Sequence, residues 1–354
     1  MAGGTGGHVY PALAIANYLR ERGVPLFWLG TQAGLESRVV PENNIKLFTI
    51  NVSGLRGKKF NKWLIAPFTL MLAFIQSLHV ILNIKPSIVI GMGGFVSGPG
   101  GIAARLLRIP LYIHEQNSIA GTTNKLLSPI AKKVMQGFPD SIHGKRVVTT
   151  GNPVRKEILN NIKSPAERLE GREGLPLRLL VIGGSLGAKV FNELLPRVIA
   201  GLPEEVEVEI WHQTGIIHHD STMSLYLENK VNSEKVVPYI ANMAEAYLWS
   251  DLVLCRAGAM TISEISIMGV ASILIPYPHA VDDHQTANAK YLSDQGAAIL
   301  IPQVDINEIR IIDLISGFYT KRTSLMHMAT LVQNLSLPNA TRDIGRICME
   351  GINV

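Results

Sequence analysis

GGTGGHVYPALAIANYL (residues 3–19) returns in altered form as GGSLGAKVFNELLPRVI (183–199). Both stretches run two glycines, a small hydroxyl residue, further glycine and then a helical pattern. The second copy follows an apolar strand, LRLLVIGG (177–184). A glycine turn that opens a helix after a strand is the start of a nucleotide-binding α/β unit. Two such starts predict two Rossmann-like domains. The surrounding runs agree: PLFWLG (25–30), SIVIGM (87–92), PLYIHE (110–115), VEVEIWHQTG (206–215), DLVLCRAG (251–258) and ASILIPYP (271–278) read as strands. Helix-period segments such as 99–108, 187–200 and 283–296 alternate with them, which predicts an α/β fold with parallel sheets. Several strands are apolar throughout, as in sheets covered on both faces. The expected division is an N-terminal domain over 1–155, a charged, Pro- and Gly-punctuated linker and hinge over 156–176, and a C-terminal domain over 177–335. A last helical segment, 336–354, could pack on either domain.

The composition narrows the class. Hydrophobic residues make up 47% of the 354 and charged residues 17%, so the chain is globular. The net charge of +5 suits anionic partners such as phosphates, nucleotides and acidic lipid headgroups. No basic run with interleaved aromatics points to nucleic acid. Two cysteines, Cys255 and Cys348, exclude a disulfide scaffold and fit a reducing cytosol. No basic stretch followed by an apolar core marks a secretion signal.

Mean hydropathy of +0.21 is high for a soluble enzyme. One segment carries much of it: FNKWLIAPFTLMLAFIQSLHVILNIKP (60–86), in which the 22 residues from Trp63 to Ile84 bear no formal charge. Its length would span a bilayer, but it holds Pro67, Gln76, Ser77, His79 and Asn83 and sits between two strands of one sheet. Arg56, Lys58, Lys59 and Lys62 precede it. An apolar helix beside a basic cluster is how a protein docks on an anionic membrane surface without crossing it. The alternative is a buried core helix with a solvated basic loop.

The motifs cluster after strands. GGTGGH (3–8) offers glycine conformations and free N–H groups at a helix start, which favour phosphate; the plain alternative is a tight turn. GMGGFVSGPG (91–100) and HEQNSIAGTTNK (114–125) follow the next strands, where ligands bind in open α/β sheets. His114, Glu115, Gln116 and Asn117 put four polar side chains at that edge. GGSLGA (183–188) can set Ser185 and backbone amides on a diphosphate. CRAGAMTISE (255–264) opens a helix near Ala259. Glu264 there could accept ribose hydroxyls, or could be an acid favoured by the helix dipole. PHAVDDHQTANA (278–289) adds Asp282, Asp283, His284 and Gln285. His279, Asp282, Asp283 and His284 match no standard zinc spacing, and there is no HExxH or paired CxxC, so no metal site is expected; no G-x-S-x-G or Walker A motif is present either.

In combination, GGTGGHVYPALA, GMGGFVSGPG, HEQNSIAG, GNPVR (151–155), GGSLGA, HQTG (212–215) and CRAGAMTISE resemble the MurG-type glycosyltransferases of family 28. Their order matches over essentially the whole chain. The resemblance implies a GT-B fold, two Rossmann-like domains with parallel sheets facing a deep interdomain cleft, with the C-terminal helix returning to the N-domain. It implies transfer of GlcNAc from UDP-GlcNAc to the C4 hydroxyl of MurNAc in undecaprenyl-linked lipid I. The product is lipid II, for peptidoglycan and cell-wall synthesis, made with inversion at the cytoplasmic face of the bacterial membrane. Carried over by motif, the donor contacts are Thr5, Gly6, Gly7, Asn117, Arg155, Ser185, Ile240, Ala259, Met260, Thr261, Ile262, Ser263, Glu264 and Gln285. The segment 63–84 with Lys58, Lys59 and Lys62 matches the family's membrane-docking patch. The family also carries a full apolar strand before the first glycine, where this sequence has only Met1 and Ala2. A start codon called too late is the expected cause.

Inverting transfer needs a base for the attacking hydroxyl and stabilisation of the departing diphosphate. His8, at the tip of the first turn, is the preferred base, since histidine works near neutrality. Glu115 competes, and a third arrangement has His8 on the acceptor diphosphate and Glu115 as base. Glycine-turn amides, Arg155 and a helix dipole can stabilise UDP without a tightly held cofactor; soluble Mg²⁺ stays open as an activator. Rival readings are a UDP-sugar epimerase or glycolipid glycosyltransferase on the same fold, and a non-catalytic nucleotide-sugar-binding membrane subunit.

Overall fold

The computed structural model describes residues 1–52 and 60–352, with the side chains of 60–65 left aside. The chain forms two compact units, Met1–Arg155 with Leu337–Val354, and Lys156–Ser336.

In the first unit the strands are β1 (Phe27–Gly30), β2 (Lys46–Thr49), β3 (Val89–Gly91), β4 (Leu111–Glu115), β5 (Lys133–Gln136) and β6 (Val147–Thr149). All pair in parallel, as a β1–β2 ribbon and a β3–β4–β5–β6 sheet. Met1 and Ala2 occupy the seam. The Met1 amino group donates to Ile90 O at 2.7 Å, Met92 N donates to Met1 O at 2.9 Å, and Trp28 Nε1 donates to Ala2 O at 2.9 Å. These two residues thus make hydrogen bonds to both the ribbon and the sheet.

The helices of this unit are α1 (Gly6–Arg20), α2 (Glu36–Glu42), α3 (Phe60–Ile84), α4 (Gly94–Leu106) and α5 (Thr122–Leu127). α3 is the charge-free segment. Ala66, Ala73, Ser77 and Ile81 bury one face of it, while Phe68, Met71, Leu72, Ile75 and Leu82 stand exposed. Positions 68, 71, 72 and 75 follow helical spacing, so they form one apolar stripe. The buried-core alternative is therefore corrected: α3 is anchored through small residues and turns its large apolar side chains outward. By length and composition it could cross a membrane, but its buried face lies in the cores that Val96, Ala103 and Ala104 of α4 share. Lys58, Lys59 and Arg56 lie outside the described residues, and Lys62 falls in α3 without a described side chain.

The second unit carries β7 (Leu177–Ile182), β8 (Val208–Gln213), β9 (Val236–Val237), β10 (Leu252–Cys255), β11 (Ala271–Leu274) and β12 (Ile299–Leu300) in the order β12-β11-β10-β7-β8-β9, all parallel. This is the doubly wound order, which reverses between β7 and β10. β10 and β11 are wholly buried because helices cover both faces. The helices are α6 (Lys156–Leu159), α7 (Pro165–Leu169), α8 (Lys189–Ala200), α9 (His219–Glu228), α10 (Met243–Trp249), α11 (Ala259–Met268), α12 (His284–Ser293), α13 (Glu308–Thr320) and α14 (Arg322–Asn334). Phe191, Leu195 and Val198 of α8 share one core with Ile311 and Ile315 of α13 and with Leu325 and Met328 of α14.

Residues 156–176, expected as a linker, are folded into this unit. A Ser164–Glu167 capping box starts α7. The buried Arg168 donates to Ser250 O and Gly269 O, and Arg172 pairs with the buried Asp251 at 3.1 Å. The final helix, α15 (Ala340–Ile352), belongs to the first unit, where Ile344 and Cys348 join the core beneath α1. Gly345 there meets the ring of Tyr18 so closely that any Cβ would collide with it.

Candidate functional site

In the first unit the glycine turns stack on one another at the carboxyl ends of the strands. A Cβ on Gly94, whose φ is +74°, would stand 2.6 Å from Gly3 O. Thr5 precedes α1 in extended conformation, and its carbonyl accepts from His8 N and Val9 N. Gly6 and Gly7 thus present the first amides of a 15-residue helix, the arrangement that attracts anions. His8 is half-buried one position further on. Its ring lies against Gly93, where a Cβ would come 2.8 Å from His8 Cδ2 and 3.0 Å from Nε2. Gly93 has φ +87°, so both conformation and contact require glycine there.

Glu115 ends β4 and is buried. Its Oε1 accepts from Asn117 N (2.9 Å) and Asn117 Nδ2 (3.4 Å), and its Oε2 from Asn124 Nδ2 (2.9 Å) and Gly121 N (3.0 Å). Four donors on two oxygens hold the 116–121 loop in shape. Asn124, which the sequence did not single out, also donates to His114 O at 3.1 Å. It borders the same Gly93 that His8 packs on.

His114, Glu115, Gln116 and Asn117, expected as four polar side chains at that edge, do not all reach solvent. Only Asn117 is part-exposed; the other three are buried. His114 Nε2 lies 3.0 Å from Gly151 O and Nδ1 3.0 Å from Gln116 Nε2, while Asn152 Nδ2 donates to Gln116 O at 3.0 Å. This buried network ties HEQN to GNPVR, at whose end Arg155 is part-exposed. Buried hydrogen bonds of this kind rigidify what they join.

In the second unit the sheet order reverses between β7 and β10, and ligands bind outside the carboxyl ends at such a point. GGSLGA leaves β7 there and RAGA leaves β10. Ser185 is exposed at the tip of the first loop. HQTG has a supporting role: Gly215 and Gly187, both at positive φ, pack so tightly that a Cβ on either would strike the other loop. Gln213 Nε2 donates to Gly184 O at 3.1 Å and the buried Asn192 Nδ2 to Thr214 O at 2.9 Å. α11 starts at Ala259, with Met260 and Thr261 in its first turn. Ser263 Oγ donates to Ala259 O at 2.9 Å. Ile262, the next residue of that turn, has a fully buried side chain and its N–H donates to Gly258 O at 2.9 Å. Ile240 is likewise buried.

Glu264 lies in the second turn of α11, past the reach of the dipole effect, which fades within the first turn. It is buried, and Tyr247 Oη donates to its Oε2 at 3.2 Å. Gln285 Oε1 accepts from Tyr277 N at 2.9 Å in the first turn of α12. Just before it, Asp282 and Asp283 hold φ values of +52° and +51°, a strained pair for non-glycine residues. Arg256, missed as a lone charge in an apolar run, ties the strand ends together through Ile275 O and Pro276 O at 3.1 Å. Among the described residues no group of three or more His, Cys, Asp or Glu could hold a metal ion.

Two buried histidines give these networks a pH signature. Burial lowers His114 to about 4 and His212, next to Tyr226 Oη at 2.9 Å, to about 3. Between about 6.5 and 4 the unfolded chain takes up protons that the folded chain refuses, so stability falls as pH falls through that window. Urea melts at pH 7 and pH 5 are expected to differ by about 2 kcal/mol for each histidine. A His212→Gln variant should show a shallower fall, and equal pH dependence in variant and parent would remove His212 from this account.

Residues 1–136 match the glycosyltransferase family 28 N-terminal domain and residues 178–343 the glycosyltransferase family 28 C-terminal domain. The chain is 48% identical over 355 residues to the UDP-N-acetylglucosamine–N-acetylmuramyl-(pentapeptide) pyrophosphoryl-undecaprenol N-acetylglucosamine transferase of Nitrosospira multiformis, covering 100% of this chain and 98% of that one. It is 49% identical to the protein of the same name from Cellvibrio japonicus, over 99% of this chain and 97% of that one. The crystal structure of Acinetobacter baumannii MurG superposes with a TM-score of 0.82 at 38% identity, covering 99% of this chain and 98% of the other.

Proposed function

The chain belongs to glycosyltransferase family 28 and is a hexosyltransferase, and on that premise we propose that it moves N-acetylglucosamine from UDP-GlcNAc to the C4 hydroxyl of N-acetylmuramyl-(pentapeptide) pyrophosphoryl-undecaprenol. The observation that supports this reading best is that each unit carries a glycine-turn edge. One carries His8 beside the Glu115–Asn124 network, and the other lies at the β7/β10 reversal with Ser185 and α11.

In the reaction the acceptor C4 oxygen attacks the anomeric carbon of the donor and His8 takes the hydroxyl proton. The bond from that carbon to the UDP oxygen breaks with inversion. Glu115 is a positioning residue that shapes the loop carrying Asn117. The departing diphosphate draws on amides of the 183–187 turn, Ser185, the start of α11 and Arg155. Thr5, Gly6 and Gly7 supply amides on the first unit. Glu264, oriented by Tyr247, accepts the ribose hydroxyls. Glu264→Ala is therefore expected to weaken UDP binding about ten- to a hundredfold, the worth of hydrogen bonds to a charged acceptor. Calorimetric titration with UDP checks this, and unchanged affinity would take Glu264 out of the ribose site.

A polyprenyl-linked acceptor sets the work at a membrane. We place the enzyme peripherally on the cytoplasmic face, with Phe68, Met71, Leu72 and Ile75 of α3 in the interface and Lys58, Lys59 and Lys62 on anionic headgroups. Transfer of radiolabelled GlcNAc from UDP-GlcNAc, run with and without lipid acceptor and with and without Mg²⁺, tests the function. Acceptor-dependent label in the lipid product is expected; conversion of UDP-GlcNAc without acceptor would favour an epimerase.

A further inference from the structure

We propose that Glu36 is the positioning residue that fixes the first glycine turn and thereby the placement of His8. Glu36 is fully buried at the start of α2. Its Oε2 accepts from Gly4 N at 3.0 Å, inside the GGTGG turn. Its Oε1 accepts from Thr31 N at 2.9 Å and Thr31 Oγ1 at 2.7 Å, at the end of β1. One carboxylate thus clamps the turn to the strand beside it.

The sequence makes room for this carboxylate. A Cβ on Gly3 would stand 2.6 Å from Glu36 Oε1, and one on Gly30 would stand 2.6 Å from Glu36 Cγ. A Cβ on Gly34 would collide with Oε2 outright. Glycines from three separate places surround one acid, and Gly30 and Gly34 need no positive φ. Their smallness serves the contact rather than the backbone conformation.

The chemistry of the clamp calls for an acceptor on both arms. A glutamine at this position would aim its NH₂ either at the Gly4 N–H or at the Thr31 N–H, so one arm must break whichever way the amide turns. Aspartate is too short to reach both. Loosening Gly4 displaces Thr5, whose carbonyl sets the first turn of α1 and with it His8. Small misplacements of a reacting group lower the rate steeply.

The catalytic part of this inference rests on His8 acting as base, so the test has an arm that does not. Histidine-labelled enzyme, with the His8 signal assigned by its loss in His8→Ala, is compared with Glu36→Gln. The expected result is a displaced His8 resonance with the His114 and His212 signals unmoved. Turnover is expected to fall at least about tenfold with UDP affinity unchanged. Val134→Ala, a core change on β5, serves as a control for destabilisation alone and should keep its turnover well below its melting temperature. An unmoved His8 signal in Glu36→Gln overturns the proposal, and so does, where His8→Ala loses turnover, a loss in Glu36→Gln no larger than in Val134→Ala. Should Glu36→Gln fail to fold, Gly34→Ala displaces the same carboxylate, and the same two results decide. A displaced His8 signal with unchanged turnover in His8→Ala would instead sink the assignment of the base and leave the clamp standing.

Discussion

Replacing His8 by alanine is expected to cut turnover at least about a hundredfold, the lower range for a general base, while UDP affinity stays within about twofold. The first expectation follows from where the ring sits. It occupies the first turn of α1, packed on Gly93 and bordered by Asn124, at the edge where the strands of the first unit end. The second follows from the division of labour. Ser185, the start of α11, Glu264 and Gln285 all belong to the second unit, and none of them depends on His8. Glu115→Gln supplies the contrast. Its amide must turn a donor toward two of the four N–H groups that now meet the carboxylate, so the loop loosens and activity falls. The pH dependence that belongs to the histidine should survive in that variant. A fall of less than about tenfold in His8→Ala, or loss of the acidic limb of the pH profile in Glu115→Gln, would reverse the two assignments.

Asp251→Asn is expected to destabilise the second unit by about 3 kcal/mol or more, although it is far from any proposed substrate group. Asp251 Oδ2 accepts from Arg172 Nη2 and Arg322 Nη1, both at 3.1 Å, and from Arg178 N at 3.0 Å. The carboxylate is 2% exposed and its two arginines 11% and 14%, so screening by water is slight. Removing one partner from such a group leaves buried positive charge uncompensated, which costs about 3–5 kcal/mol. The same three arginine-bearing segments are α14, β7 and the stretch after α7, so the loss should also open residues 164–176 to protease. Urea denaturation measures the first effect and limited proteolysis the second. A loss below about 1 kcal/mol would put the cluster in the class of solvent-screened surface pairs.

The fold was legible where burial leaves a continuous mark. LRLLVI, LVLC and ASIL read as strands because helices cover both of their faces, and each lies in the middle of the second sheet. KLFT, KVMQ and VVT, which became β2, β5 and β6, went unread. They are short, two begin with lysine, and β6 is an edge strand with two exposed residues. The segment 156–176 looked like a linker because its composition is charged. Yet Arg168 is buried and Arg172 largely covered by partners that lie far away in sequence. The site shows the same asymmetry. Glycine turns announce themselves, and GMGGF, GGSLG and RAGA each leave the carboxyl end of a strand. The acids and amides that hold the turns do not. Glu36 reads as an ordinary acid opening a helix, and Asn124, Asn192 and Asn288 read as surface amides, until the fold buries each against a backbone group.

The anomeric configuration of the transferred sugar tests the central claim most directly. Proton NMR of the product formed from UDP-GlcNAc and a polyprenyl-diphosphate N-acetylmuramyl-peptide is expected to show GlcNAc β-linked to the C4 oxygen, with one UDP released per disaccharide. An α-linked product, or UDP released with no disaccharide formed, would contradict a single displacement assisted by His8.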